Sequence, residues 1–94
     1  MDLQLKNKTA LVTGASVGIG RGIAKALSAE GVRVAISARR KEKLEELAQE
    51  IVAAGGLQPV IIESDLYVED AAAKLTAAAI QGLGHVDILV NNAG

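Results

Sequence analysis

The 94-residue sequence has no cysteine, tryptophan or phenylalanine, and only one residue each of proline, tyrosine, methionine and histidine. Without cysteine there is no disulfide framework, thiolate metal site or thiol nucleophile. With a single aromatic ring, any core must be assembled from the aliphatic part of the 50% hydrophobic content. Net charge is also scarce: ten basic against eleven acidic residues leave −1, which offers no bulk attraction to nucleic acid or to an anionic membrane surface. No apolar run approaches the length of a bilayer span, and Met1-Asp2-Leu3-Gln4-Leu5-Lys6 lacks the charged and apolar regions of a leader. The expectation is a soluble, cytoplasmic chain without nucleic-acid or membrane partners, forming one small domain or part of one.

What the chain does contain is alternation. Thr9 to Thr13 is a short, partly β-branched apolar run ending at Gly14, which suits a buried parallel strand. From Gly18 the spacing becomes helical, with Gly20, Ile23, Ala24 and Leu27 on one face, Arg21, Lys25 and Ser28 away from it, and Gly31 as a stop. Val32 to Ser37 reads as a second strand. Leu44, Leu47, Ala48 and Ile51 mark a second helix, with Lys43 and Glu46 in salt-bridge reach on its other face and Gly55-Gly56 at its end. Val60 to Ile62 reads as a third strand, Asp70 to Gln81 as an Ala-rich helix closed by Gly82 and Gly84, and Ile88 to Val90 as a fourth strand. The order β-α-β-α-β-α-β implies an α/β fold: a parallel sheet with right-handed crossovers and helices on both faces. A sheet of these strands alone is expected to leave strand one or strand four as an open apolar edge.

Gly14, Gly18 and Gly20 stand where strand one passes into a helix. The first permits a tight turn, the second lets a pyrophosphate approach the backbone, and the third lets the helix pack closely on the sheet. The free N–H groups and positive end of that helix then face the phosphates, and Ser16 adds a hydroxyl donor. A glycine cluster by itself is compatible with an ordinary turn; its place between a strand and a helix in a βαβ unit is the context a dinucleotide site requires.

The exit of strand two bears on which dinucleotide is bound. A site for NAD places an acidic side chain about twenty residues beyond the turn, for the ribose 2′-OH, whereas a cation there accommodates the 2′-phosphate of NADP. The exit here reads Ser37-Ala38-Arg39-Arg40, with no carboxylate. The planar guanidinium suits a phosphate monoester, and Arg39 lies nearer the strand. The competing view, a solvated basic start to the next helix, is opposed by the helix dipole, which disfavours cations there.

With Thr13-Gly14-x-x-x-Gly18-x-Gly20, Asp65 after strand three and Asn91-Asn92-Ala93-Gly94 after strand four, the sequence resembles the classical short-chain dehydrogenases/reductases. The resemblance runs over the whole chain but matches only the N-terminal part of that family's domain. It implies a Rossmann-type doubly wound parallel sheet, of which residues 1–94 would supply the first four strands, incomplete relative to the family and with no second domain. It further implies that the turn comprising Gly14, Ser16, Val17, Gly18, Ile19 and Gly20 holds the pyrophosphate of NADP, with Arg39 and Arg40 at the 2′-phosphate. By the same resemblance Asp65 and the Leu66 backbone meet the adenine, Asn92, Ala93 and Gly94 pass the adenosine ribose, and Asn91 braces the sheet.

Two departures qualify this. Many NADP-using relatives are basic where this chain has Val17, so the 2′-phosphate would rest on Arg39 and Arg40 alone. The family's proton donor is a tyrosine in Tyr-x-x-x-Lys, but Tyr67 is followed at that spacing by Ala71, so Tyr67 is not the catalytic tyrosine. His85 lies before strand four, at the edge remote from where ligands bind in such sheets, and Asp87 reads as a residue leading into that strand rather than an acid catalyst. The resemblance implies an NADP(H)-dependent oxidoreductase acting on a small carbonyl or alcohol, with a 3-oxoacyl thioester as the family-level example, and a homodimer or homotetramer. The family's tyrosine, lysine, serine and further asparagine have no counterpart here, so no catalytic residue is assigned and the 94 residues alone are expected to be inactive. The alternative is a stand-alone, non-catalytic nucleotide-binding or interaction module.

Overall fold

The computed structural model describes residues 7–16, 18–64 and 71–90. Its elements, in chain order, are β1 (Thr9–Thr13), α1 (Gly18–Ala29), β2 (Arg33–Ala38), α2 (Lys41–Ala53), β3 (Val60–Glu63), α3 (Ala71–Leu83) and β4 (Ile88–Val90). All pairings are parallel, in the order β3-β2-β1-β4. The α/β alternation expected from sequence is therefore present as a Rossmann-type sheet, and the crossing from β3 back to β4 on the far side of β1 makes β1 the point where strand order reverses.

All five residues of β1 are buried, the signature of a central parallel strand covered on both faces. Its side chains divide by the two-residue period. Ala10 and Val12 join Val34 and Ile36 of β2 beneath α1 and α2, where Ala24, Leu44, Leu47, Ala48 and Ile51 complete one core. Leu11 and Ala35 face the other way and meet Leu75, Ala79 and Leu83 of α3. Register keeps these faces consistent across the sheet, because Leu11 pairs with Ala35 on one side and with Leu89 on the other, while Ala35 pairs with Val60.

Hydrogen bonds at two helix ends explain where the chain turns back. After α1, the Gly31 N–H donates to the Ser28 carbonyl at 3.1 Å and the Val32 N–H to the Leu27 carbonyl at 3.2 Å. After α2 the same pair recurs, from Gly55 to Val52 at 3.0 Å and from Gly56 to Ile51 at 2.9 Å. These are Schellman closures, satisfying carbonyls that the helix leaves unpaired.

Five expectations need correction. The second strand is Arg33–Ala38, one residue later than the apolar run, and the third extends to Glu63. Ser28 does not face away from the core: it is 6% exposed, and its hydroxyl has no hydrogen-bond partner among the described residues. The i, i+4, i+8 row Gly20-Ala24-Ser28 is the buried row of α1, and Gly56, just past α2, lies so close to the Ser28 hydroxyl that a Cβ there would clash with it. Gly82 does not end α3 but lies within it, where a Cβ would come 2.9 Å from Cγ1 of Val60; the missing side chain lets the helix lie against β3. Finally, β1 is central rather than an edge, and the sheet's edges are β3 and β4. On β4, Leu89 is 64% exposed on the face shared with α3, so the expected open apolar edge belongs to that strand.

Candidate functional site

Because every strand is parallel, all four carboxyl ends lie along one edge of the sheet, and the loops leaving β1 and β2 emerge there side by side. The ladder continues past the strands: the Ala15 N–H donates to the Ser37 carbonyl at 3.0 Å, and the Ser64 N–H to the Ala38 carbonyl at 2.9 Å. Ala15 is wholly buried, so the turn after β1 is anchored at its start.

Gly14 and Gly18 both have φ of +62°, in the left-handed region that L side chains seldom enter. Among the described residues nothing lies within 4 Å of where a Cβ on Gly18 would stand. Glycine at 18 is thus required by backbone conformation and leaves open space above the turn. Gly20 is buried at the helix–sheet contact. Ile19 projects the other way, 73% exposed, although it is a large apolar residue. The first turn of α1 carries no acidic residue, so no carboxylate of the helix competes for its positive end. These features fit an anion held against backbone N–H groups: room where a side chain would intrude and a helix start free of acid.

Arg39 and Arg40, both exposed, leave β2 on this same edge, just beyond Ser37, which pairs with Thr13. Arg40 is the cap residue of α2, with φ −103° and ψ 105°, yet no side chain caps that end by a hydrogen bond. The structure therefore gathers Gly14, Ser16, Gly18, Ile19, Gly20, Arg39 and Arg40 at the carboxyl edge. Val17, Asp65, Leu66, Tyr67, Asn91, Asn92, Ala93 and Gly94 lie outside the described residues.

A further pair of residues could not have been found by pattern. The Arg21 guanidinium, in the first turn of α1, donates from Nη1 to the Ser16 carbonyl at 3.4 Å and forms an ion pair with Glu50 of α2 through Nη2. Glu50 also pairs with Lys25. Sequence shows Arg21 only as a polar position on α1 and Glu50 only as one on α2; their meeting depends on how the helices pack.

At the opposite edge, His85 and Asp87 make a structural cluster. The Thr9 N–H and hydroxyl donate to Asp87 Oδ2 at 3.0 and 3.2 Å, and the Asp87 N–H donates back to Thr9 Oγ1 at 3.1 Å. His85 Nε2 lies 3.1 Å from the same carboxylate oxygen. The Thr9 backbone N–H, seconded by the His85 charge, the Thr9 hydroxyl and the His85 hydrogen bond, outweighs desolvation and holds the Asp87 carboxyl below its ordinary pKa. The carboxylate fastens the start of β4 to the start of β1, in agreement with its reading as a strand-leading residue. No cluster of side chains suited to a metal ion occurs among the described residues, and no helix among them is long and apolar enough to cross a membrane.

A parallel sheet with its glycine turn at the strand-order reversal defines the class as Rossmann-type α/β. Residues 8–94 match the family model described as short chain dehydrogenase, and the chain belongs to that family. It is 47% identical over 91 residues to a short chain dehydrogenase of Pseudocercospora fijiensis, covering 97% of this chain and 29% of the relative. It is 44% identical over 89 residues to the 3-oxoacyl-[acyl-carrier-protein] reductase FabG of Staphylococcus epidermidis, covering 94% and 36%. Among solved structures, a metagenomic short-chain oxidoreductase in complex with NADP superimposes with a TM-score of 0.88 at 46% identity, over 96% of this chain and 40% of that one. The chain thus spans only about a third of the length of the curated relatives it matches.

Proposed function

We propose that the protein is an NADP(H)-dependent oxidoreductase interconverting a carbonyl and an alcohol, and that these 94 residues form the cofactor-binding part of it. The observation that carries the reading is the open glycine turn at the end of β1, on the same edge as two arginines at the end of β2. When bound, NADP(H) supplies the hydride. The turn's backbone N–H groups and the start of α1 would bind the pyrophosphate, with Ser16 adding a hydroxyl donor and Ile19 giving an apolar surface that excludes water beside it. Arg39, with Arg40, would hold the 2′-phosphate through the fork geometry that a lysine lacks. Asp65 would accept from the adenine amino group, the Leu66 backbone would lie beside it, and Asn92, Ala93 and Gly94 would border the ribose. Val17 would contribute only backbone.

No residue of the chain takes the role of proton donor, so the 94 residues alone are proposed to bind cofactor without turning it over, and the substrate, together with any homo-oligomeric assembly, would depend on parts of the family's domain that this chain does not match. Likeness to FabG supports a 3-oxoacyl thioester as the first substrate to try. The test is a fluorescence titration with NADPH and NADH, on the wild type and on Arg39→Ala. Wild type is expected to prefer NADPH, and the variant to lose about tenfold in NADPH affinity with little change for NADH. Equal affinity of the wild type for both cofactors refutes the assignment of NADP.

A further inference from the structure

The residue that departs from its expected surroundings is Arg21. A cation in the first turn of a helix opposes the helix dipole, at a cost of about 0.3–1 kcal/mol, and this helix has no acidic residue of its own there to offset it. The compensation comes from two directions. One donor of the guanidinium serves the Ser16 carbonyl inside the glycine turn; another meets Glu50 on α2, whose second oxygen is taken by Lys25. The Arg21 side chain is 24% exposed, more enclosed than Glu50 at 42% or Lys25 at 45%.

A turn that presents backbone N–H groups to an anion must direct its carbonyls elsewhere, since a carbonyl dipole on the anion's side would repel it. We propose that Arg21 is a positioning residue for the nucleotide site: it draws the Ser16 carbonyl back toward α1, leaving the N–H groups of the turn to face the open space above Gly18, and Glu50 fixes the guanidinium in that task. Arg21 then tunes the turn through the backbone and does not touch the phosphates. The Glu50 pairing distinguishes this from direct contact, because Nη1 is engaged by the Ser16 carbonyl and Nη2 by a carboxylate on a neighbouring helix, so the guanidinium is held between the turn and α2. The inference rests on the nucleotide reading of the turn and adds a residue to it.

The test compares Arg21→Met, Arg21→Lys and Glu50→Ala in the complete gene product at physiological salt, by titration with NADPH and with 2′-AMP, which carries the arginine-facing phosphate but no pyrophosphate. Arg21→Met is expected to weaken NADPH about fivefold while leaving 2′-AMP unchanged, a difference that general loosening of the fold would not produce. Arg21→Lys is expected to restore part of the loss, and Glu50→Ala to weaken NADPH in the same direction as Arg21→Met. Tighter NADPH binding in Glu50→Ala overturns the proposal, since it would mean that a released arginine reaches the phosphates directly. Equal loss on both ligands, or none on either, also overturns it. A wild type that binds neither NADPH nor NADH refutes the nucleotide reading itself. A wild type that binds NADH but not 2′-AMP refutes only the assignment of NADP, and the Arg21 and Glu50 variants are then judged on NADH.

Discussion

Replacing Gly18 by alanine separates what the turn needs for folding from what it needs for binding. At φ +62° an L side chain meets its own backbone, at a cost of about 1–2 kcal/mol. No further steric contribution arises, because nothing among the described residues lies within 4 Å of the added Cβ. Part of the cost is offset by the reduced freedom of the unfolded chain, about 0.4–1 kcal/mol, so Gly18→Ala should lose about 1 kcal/mol. Gly22, four residues further along the same helix, provides the control. A Cβ there also meets nothing within 4 Å, but the position is inside α1, where alanine is favoured over glycine by about 0.8–1 kcal/mol. Urea unfolding should therefore show the two variants moving in opposite directions, about 2 kcal/mol apart. NADPH titration should show a loss of more than about tenfold for Gly18→Ala alone, because its methyl group occupies the space proposed for the pyrophosphate. Unchanged NADPH affinity in Gly18→Ala would show that this space is not used, and a stability loss above about 3 kcal/mol would show that the backbone strain had been misjudged.

Three other substitutions test the packing. Gly82→Ala should be destabilising by about 1 kcal/mol despite alanine's helix propensity, because its Cβ would stand 2.9 and 3.1 Å from the two methyl carbons of Val60; urea unfolding reads this, and NADPH affinity should not change. Ser28→Ala should raise stability by about 1 kcal/mol, since it removes a buried hydroxyl without a partner and leaves no group unpaired; a loss of stability in the same assay would mean the hydroxyl is satisfied in solution. The Asp87 carboxyl titrates below its ordinary value in the folded state, so its contribution is fully present above the ordinary carboxylate pKa of about 3.9 and is lost as pH falls through the lower folded value. Midpoints of urea unfolding measured against pH should fall more steeply in acid for the wild type than for Asp87→Asn, and parallel curves would remove Asp87 from the acid dependence.

Much of the architecture follows from patterns only a few residues long. Thr9 to Thr13 can be read as a buried strand because it is a short, partly β-branched apolar run that ends at Gly14, and the stops at Gly31 and Gly55 can be read because helix closure depends on local backbone conformation. The glycine turn is legible for the same reason: each glycine answers a constraint set by its immediate neighbours. Strand order is different. Whether β1 is an edge or the centre depends on where the chain crosses after β3, and no spacing within β1 encodes that crossing; pairing to both β2 and β4 makes it central, and α1 and α2 cover one of its faces while α3 covers the other. Ser28 looks like a surface residue until the end of α2 and Gly56 close over it, and Gly82 looks like a stop until Val60 is seen to occupy the place of its side chain. Arg21 and Glu50 are ordinary charged positions on their own helices. Local sequence determined the elements and the nucleotide-type turn, because φ preference, periodicity and capping act over a few residues. Tertiary structure alone decided that Arg21 joins the turn to α2 and that Asp87 fastens β4 to β1, because those contacts exist only once distant segments pack together.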